Sequence, residues 1–224
     1  VMQSKPSDKK LAKRKAARSY SDLTIGDLKQ MFGLKAGTGS LFPRVSPIAP
    51  SSWLTETLEK GRQNAMVSEK ARAEFIVTPV LLLAQGLSRK QVSLYSGIRL
   101  DVDADKGLKG VCDFVFSQSP PLPFLEAPIL VLVEAKKNDV EEGIGQCAAE
   151  MVAAQIFNRE SGNSIPVIYG CVTTGETWQF LKLTGVNLVI DEDRYFIDSV
   201  TKILGILKYV LSSANSKTKR GKKL

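Results

Sequence analysis

The sequence predicts an α/β domain whose core runs helix, strand, strand, strand, helix, strand over about residues 66–183. Three observations predict it. Val111–Phe116 and Ile129–Val133 are short apolar runs of the length that forms buried strands. Apolar residues alternate through Val92, Leu94, Ile98 and Leu100, the period of a strand. Ile144, Ala148, Met151, Val152, Gln155 and Ile156 recur at helical spacing. With 224 residues and 43% hydrophobic content, the chain suits one domain with flanking extensions.

The elements follow in order. Residues 1–20 lack an apolar face and read as a basic disordered arm, and 21–65 as a helical and loop extension. Thr24, with Asp27 three residues on, caps a short helix to Phe32. Residues 33–52 are rich in Gly, Ser and Pro and read as a loop over the domain. A helix is expected from Ser52 to Asn64. A second opens at a Ser68 cap with Glu69 in its first turn and runs to Leu83, kinked at Pro79. Glu69 and Arg72, one turn apart, are spaced for an ion pair.

Strands are expected over 91–101, 109–117 and 129–136, then a helix from about 138 to 159. Gln146 and Glu150 sit at i,i+4 on it, the spacing of a polar pair on a helix surface. Ile165–Thr173, Thr177–Leu183, Val186–Ile190 and Tyr195–Phe196 add strands, and Asp198–Ser212 is a closing helix. The domain therefore occupies 66–213, and 214–224 is a basic tail.

Composition excludes several chemistries. The chain has no histidine, so histidine triads, histidine bases and histidine–zinc sites are ruled out within it. Three cysteines without Cys-x-x-Cys spacing argue against a disulfide framework or zinc site and for core thiols in a reducing, cytoplasmic setting. No signal peptide, membrane span or Gly-rich phosphate loop is expected. The net charge of +8 is uneven: residues 1–18 carry +6 and 217–223 carry +5, leaving −3 for the rest. Basic ends of this kind suit phosphate backbones.

The two apolar runs carry ionisable residues where a core strand has none: Asp113 in the first, Glu134 and Lys136 closing the second. Charge in an apolar strand is costly unless paired or metal-bound. Glu134 and Lys136 point to one side and Ala135 to the other. A hairpin across Ser117–Pro128 would bring Asp113 to Glu134. Two carboxylates and a lysine suit a divalent metal and a polarised water.

Asp113, a gap of 20 residues, then Glu134-Ala135-Lys136 resembles the PD-(D/E)XK nuclease superfamily. Cys112 stands where that pattern has proline. The resemblance implies a restriction endonuclease-like αβββαβ core, a central mixed β-sheet flanked by helices. It implies Mg2+ or Mn2+ held by Asp113, Glu134 and the Ala135 carbonyl, with Lys136 acting on the attacking water. A preceding helix acid often faces such a site; Glu69 is the first choice and Glu74 the second. A glutamine on the following helix often borders it, which points to Gln146. The function implied is Mg2+-dependent hydrolysis of DNA phosphodiesters, of restriction or repair type. DNA would be the partner, touched also by the basic tails, and a second copy or partner subunit would supply specificity. The alternative is an inactive module of this fold that binds nucleic acid or protein.

Overall fold

A computed structural model describes residues 18–65 and 67–213. The basic arm and tail fall largely outside these residues. The protein is α/β, with an eight-stranded mixed sheet between helices. The helices are α1 (Ile25–Phe32), α2 (Ser52–Ala65), α3 (Glu69–Arg72), α4 (Thr78–Leu87), α5 (Glu141–Glu160) and α6 (Val200–Ser213). The strands are β1 (Lys35–Gly39), β2 (Ser93–Arg99), β3 (Val111–Ser117), β4 (Ile129–Ala135), β5 (Ile168–Thr173), β6 (Thr177–Thr184), β7 (Asn187–Asp191) and β8 (Tyr195–Phe196). Their order is β1-β7-β6-β5-β4-β3-β2, with β8 on β6.

Strand β4 lies inside the sheet, between β3 and β5, and all seven of its residues are buried. That explains its unbroken apolar run: a strand covered on both faces has no solvent side to make polar. It pairs antiparallel with β3, as a hairpin across 117–128 requires, and parallel with β5. Helix α5 packs on β4 and β5. A Cβ at Gly143 of α5 would overlap the Val172 side chain, so the glycine sets how closely the helix approaches the sheet. Helix α6 packs against β4 and α4.

Two expectations change. Residues 33–52, read as a loop, contain β1, which pairs parallel with β7 at the sheet edge. Its sequence, Lys-Ala-Gly-Thr-Gly, has little strand propensity, so the pairing is imposed by tertiary contact. The helix opened by Ser68 is not simply kinked at Pro79. Ala73–Val77 widen into a π-helical turn between α3 and α4. Proline has no N–H to return to the carbonyl four residues back, which is that of Phe75. Thr78 Oγ1 instead bonds the Ala73 carbonyl at 2.8 Å. A Cβ at Gly61 of α2 would collide with the Phe75 carbonyl, so glycine lets the two segments meet there.

The cap at Thr24 and Asp27 forms as expected, with Asp27 N–H donating to Thr24 Oγ1 at 3.2 Å. The three cysteines are buried and free. Among the described residues no helix is long and apolar enough to cross a membrane.

Candidate active site

The site is built from one row of the sheet. The register Phe114↔Val133 puts Asp113 against Glu134 one step further on. Glu134 is matched with Val172 of β5 in turn. The Asp113 and Glu134 carboxyls come within hydrogen-bond reach of each other at this strand end. Asp113 Oδ2 accepts the Ala135 N–H at 2.8 Å, which holds the aspartate on the end of β4. The Lys136 N–H donates to the Thr173 carbonyl at 2.8 Å and carries the pairing one residue past the strand.

Lys136 lies on the same side as Glu134. Its Nζ donates to Glu134 Oε1 at 2.8 Å and to Gln146 Oε1 at 3.0 Å. Gln146 Nε2 donates in turn to Glu150 Oε1 at 3.2 Å. This chain orients the Gln146 amide, because only its oxygen can face the ammonium and only its nitrogen can face a carboxylate.

Burial dominates the electrostatics. Glu134 is 2% exposed and Glu150 is fully buried. Burial and then the neighbouring Asp113 push Glu134 up to about 7, against the opposing pull of Lys136. Burial and then Glu134 push Glu150 well above the usual carboxylate range. Burial also raises Asp113, partly offset by the Ala135 N–H and Lys136, and Glu69 raises it further. Burial alone would lower Lys136, but Glu134, Glu69 and Asp113 together leave it raised. One oxygen of each buried glutamate, Glu134 Oε2 and Glu150 Oε2, meets no donor outside the acid cluster, and the two carboxyls lie within hydrogen-bond reach of each other, so a proton on the raised Glu150 bridges them.

Asp113 and Ala135 also line a cavity of about 320 Å³ at the sheet end, together with Glu69 and Glu74. The helix acids thus face the aspartate from outside, while Glu134 and Lys136 stand toward α5. The expected Glu69–Arg72 pair does not form. Arg72 donates to the Thr174 carbonyl at 3.2 Å, and Lys70 stands 3.8 Å from Glu74.

Glu150, expected in a polar pair on the helix surface, is buried instead. Glu150 faces the interior and bonds the site. The signal was its place among Ala148, Ala149, Ala153 and Ala154, where a solvated acid has no room.

A hard divalent cation takes oxygen donors. Among the described residues no three His, Cys, Asp or Glu side chains gather as a metal cluster. Asp113 and Glu134 are two carboxylates, one with a buried oxygen that meets no donor outside the acid cluster, and a main-chain carbonyl and water can complete such a shell. The donor chemistry therefore fits a hard cation.

Fold and site together define an α/β protein with a paired-acid and lysine centre at the end of its sheet. No family model matches the chain. It is 24% identical over 230 residues to Crinkler effector protein 1 of Rhizophagus irregularis, covering 88% of this chain and 47% of that protein. The chain thus spans about half the length of the curated relative it matches.

Proposed function

We propose that the protein is a metal-dependent nuclease of restriction endonuclease-like fold that hydrolyses phosphodiester bonds in DNA. The observation that carries this reading is the meeting of Asp113, Glu134 and Lys136 at one sheet end. Asp113 and Glu134, with the Ala135 carbonyl, would hold Mg2+ or Mn2+. That cation, when bound, supplies charge neutralisation and a polarised water. Lys136, fixed by Glu134 and Gln146, points an ammonium where negative charge develops during in-line attack. Glu69 faces Asp113 across the outer cavity and adds negative field there. The outer cavity gives a strand access to Asp113 and the Ala135 carbonyl.

One observation favours the second reading, an inactive binding module: Lys136 is satisfied within the protein by Glu134 and Gln146. The two readings part in a cleavage assay on single-stranded, double-stranded and branched DNA with Mg2+ or Mn2+. Wild type should cut, EDTA should stop it, and Lys136→Ala should lose about 10²–10³-fold while still binding DNA. Equal cleavage by wild type and Lys136→Ala would sink the nuclease reading. Tight binding by both without cleavage would favour the module.

A further inference from the structure

The sheet row that carries Glu134 does not end at the site. Val172 pairs with Glu134 on one side and with Gln179 of β6 on the other. All three side chains therefore share the face that packs on α5. Gln179 stands two strands from Glu134, roughly 10 Å away at ordinary strand spacing. It is only 7% exposed. Its Nε2 donates to the Asp191 carbonyl at 3.0 Å, which settles the direction of the amide. Its Oε1 is then a buried acceptor without a partner. A buried acceptor left unmet costs about 1–3 kcal/mol, so it points to a donor that arrives with a ligand.

Gln179 lines a cavity of about 560 Å³, well inside the range of small-molecule sites. Gln146, the residue that holds Lys136, lines the same cavity. The cavity therefore adjoins the catalytic lysine through one side chain. Its walls include the aliphatic Ile25, Ile144 and Ile190, which suit the face of a flat ring. Its rim carries Glu142, and Glu141 already paired with Arg194 at 2.6 Å. Acids at the rim repel phosphate. A strand held at Lys136 can place a base here but not its backbone.

We infer that this cavity receives a nucleobase of the strand held at the Asp113–Glu134–Lys136 centre, and that Gln179 Oε1 selects bases presenting an exocyclic amine. The inference rests on the nuclease reading only for how the strand reaches the cavity. Adenine and cytosine offer an amine N–H to the oxygen. Thymine offers only its ring N3–H, flanked on both sides by carbonyls that repel a second acceptor. Selection of this kind reads a base turned out of its stack.

The test separates binding from cleavage. Dye-labelled single-stranded dA, dC and dT tracts are titrated with the full chain in EDTA, and the same tracts are offered for cleavage with Mn2+. Wild type should bind dA and dC tracts about 3–10-fold tighter than dT, the worth of one hydrogen bond. Gln179→Leu keeps the shape and removes the acceptor. Thr38→Trp fills the cavity from an exposed position on β1, so it guards against a folding defect in the first variant. In both, the dA/dT and dC/dT ratios should fall to within about twofold of one. Equal binding of the three tracts by wild type, no binding of any, or an intact ratio in both folded variants would each overturn the inference. A base ratio without cleavage keeps the cavity's role and removes the nuclease reading. Cleavage without a base ratio does the reverse.

Discussion

Two acids are buried on this sheet, and they differ in what surrounds them. Asp191, at the end of β7, is 1% exposed, and Glu134 is 2% exposed. Asp191 Oδ1 accepts the Leu41 N–H at 3.0 Å, and Oδ2 accepts the Tyr195 hydroxyl at 2.9 Å. It ties the 41–48 segment and β8 to the sheet. Both its oxygens are used, and it has no capacity left for chemistry. Glu134 shares one oxygen with Lys136, and the other has only acids around it, Asp113 and Glu150. Burial of a carboxylate is therefore not the mark of a site. The mark is a buried carboxylate crowded by other acids.

The sharpest way to break this comparison is to neutralise each acid. Glu134→Gln should lose at least about 10²-fold in cleavage and also lose metal binding, since it removes a charged donor. Asp191→Ala should cut DNA within about threefold of wild type at temperatures where it is folded. Stability should run the other way. Asp191→Ala strands a backbone N–H and a hydroxyl, each costing about 1–3 kcal/mol, so its Tm should fall by roughly 5–15 °C. Glu134→Gln relieves a cluster of like charges, and its Tm at pH 8 should match or exceed wild type. Thermal melts that rank the two variants in the opposite order would refute the distinction.

The second prediction concerns pH. Glu134, Asp113 and Glu150 are all raised in the folded protein. A raised carboxyl contributes its stability below the unfolded value and loses it as pH rises through the folded value. In EDTA the Tm should fall by about 3–10 °C from pH 5 to pH 8, with the Glu134 share complete just above pH 7. Asp22, Asp27 and Asp103 are lowered, so their contributions are lost only at more acidic pH and do not blur this window. The double variant Glu134→Gln, Glu150→Gln should flatten the profile. Mg2+ should restore Tm above pH 7 in wild type by mass action, and not in Glu134→Gln. A flat wild-type profile would show that the acids are not penalised by burial.

Much of this was legible in the sequence, and for a physical reason. Asp113, Glu134 and Lys136 interrupt apolar strands, and strand alternation alone fixes Glu134 and Lys136 to one side. The hairpin loop then leaves one partner for Asp113. Strand β1 was not legible, because its residues carry little propensity and the pairing with β7 spans 152 positions of chain. Glu150 was misread because i,i+4 spacing places it beside Gln146 without saying whether that side meets water or the sheet. Gln179 was silent for a related reason. Its β6 neighbours identify a strand, but an unmet oxygen is a property of the folded interior.

The smallest expected effect separates the two helix acids. Glu69 and Glu74 line the same cavity as Asp113, so position alone does not rank them. Their fields do. Glu69 raises both Asp113 and Lys136, whereas Glu74 stands 3.8 Å from Lys70, which offsets its charge. Both acids are solvent-exposed, and charge effects across such a surface are modest and screened by salt. Glu69→Ala should therefore cost about 3–10-fold in cleavage at low salt, and less at high salt. It should also shift the acidic limb of the pH–rate profile to lower pH, because a like charge facing Asp113 has been removed. Glu74→Ala should stay within about twofold of wild type. Neutral Glu69→Ala kinetics with an impaired Glu74→Ala would transfer the role to Glu74, and unchanged kinetics in both would confine the working acids to the sheet row.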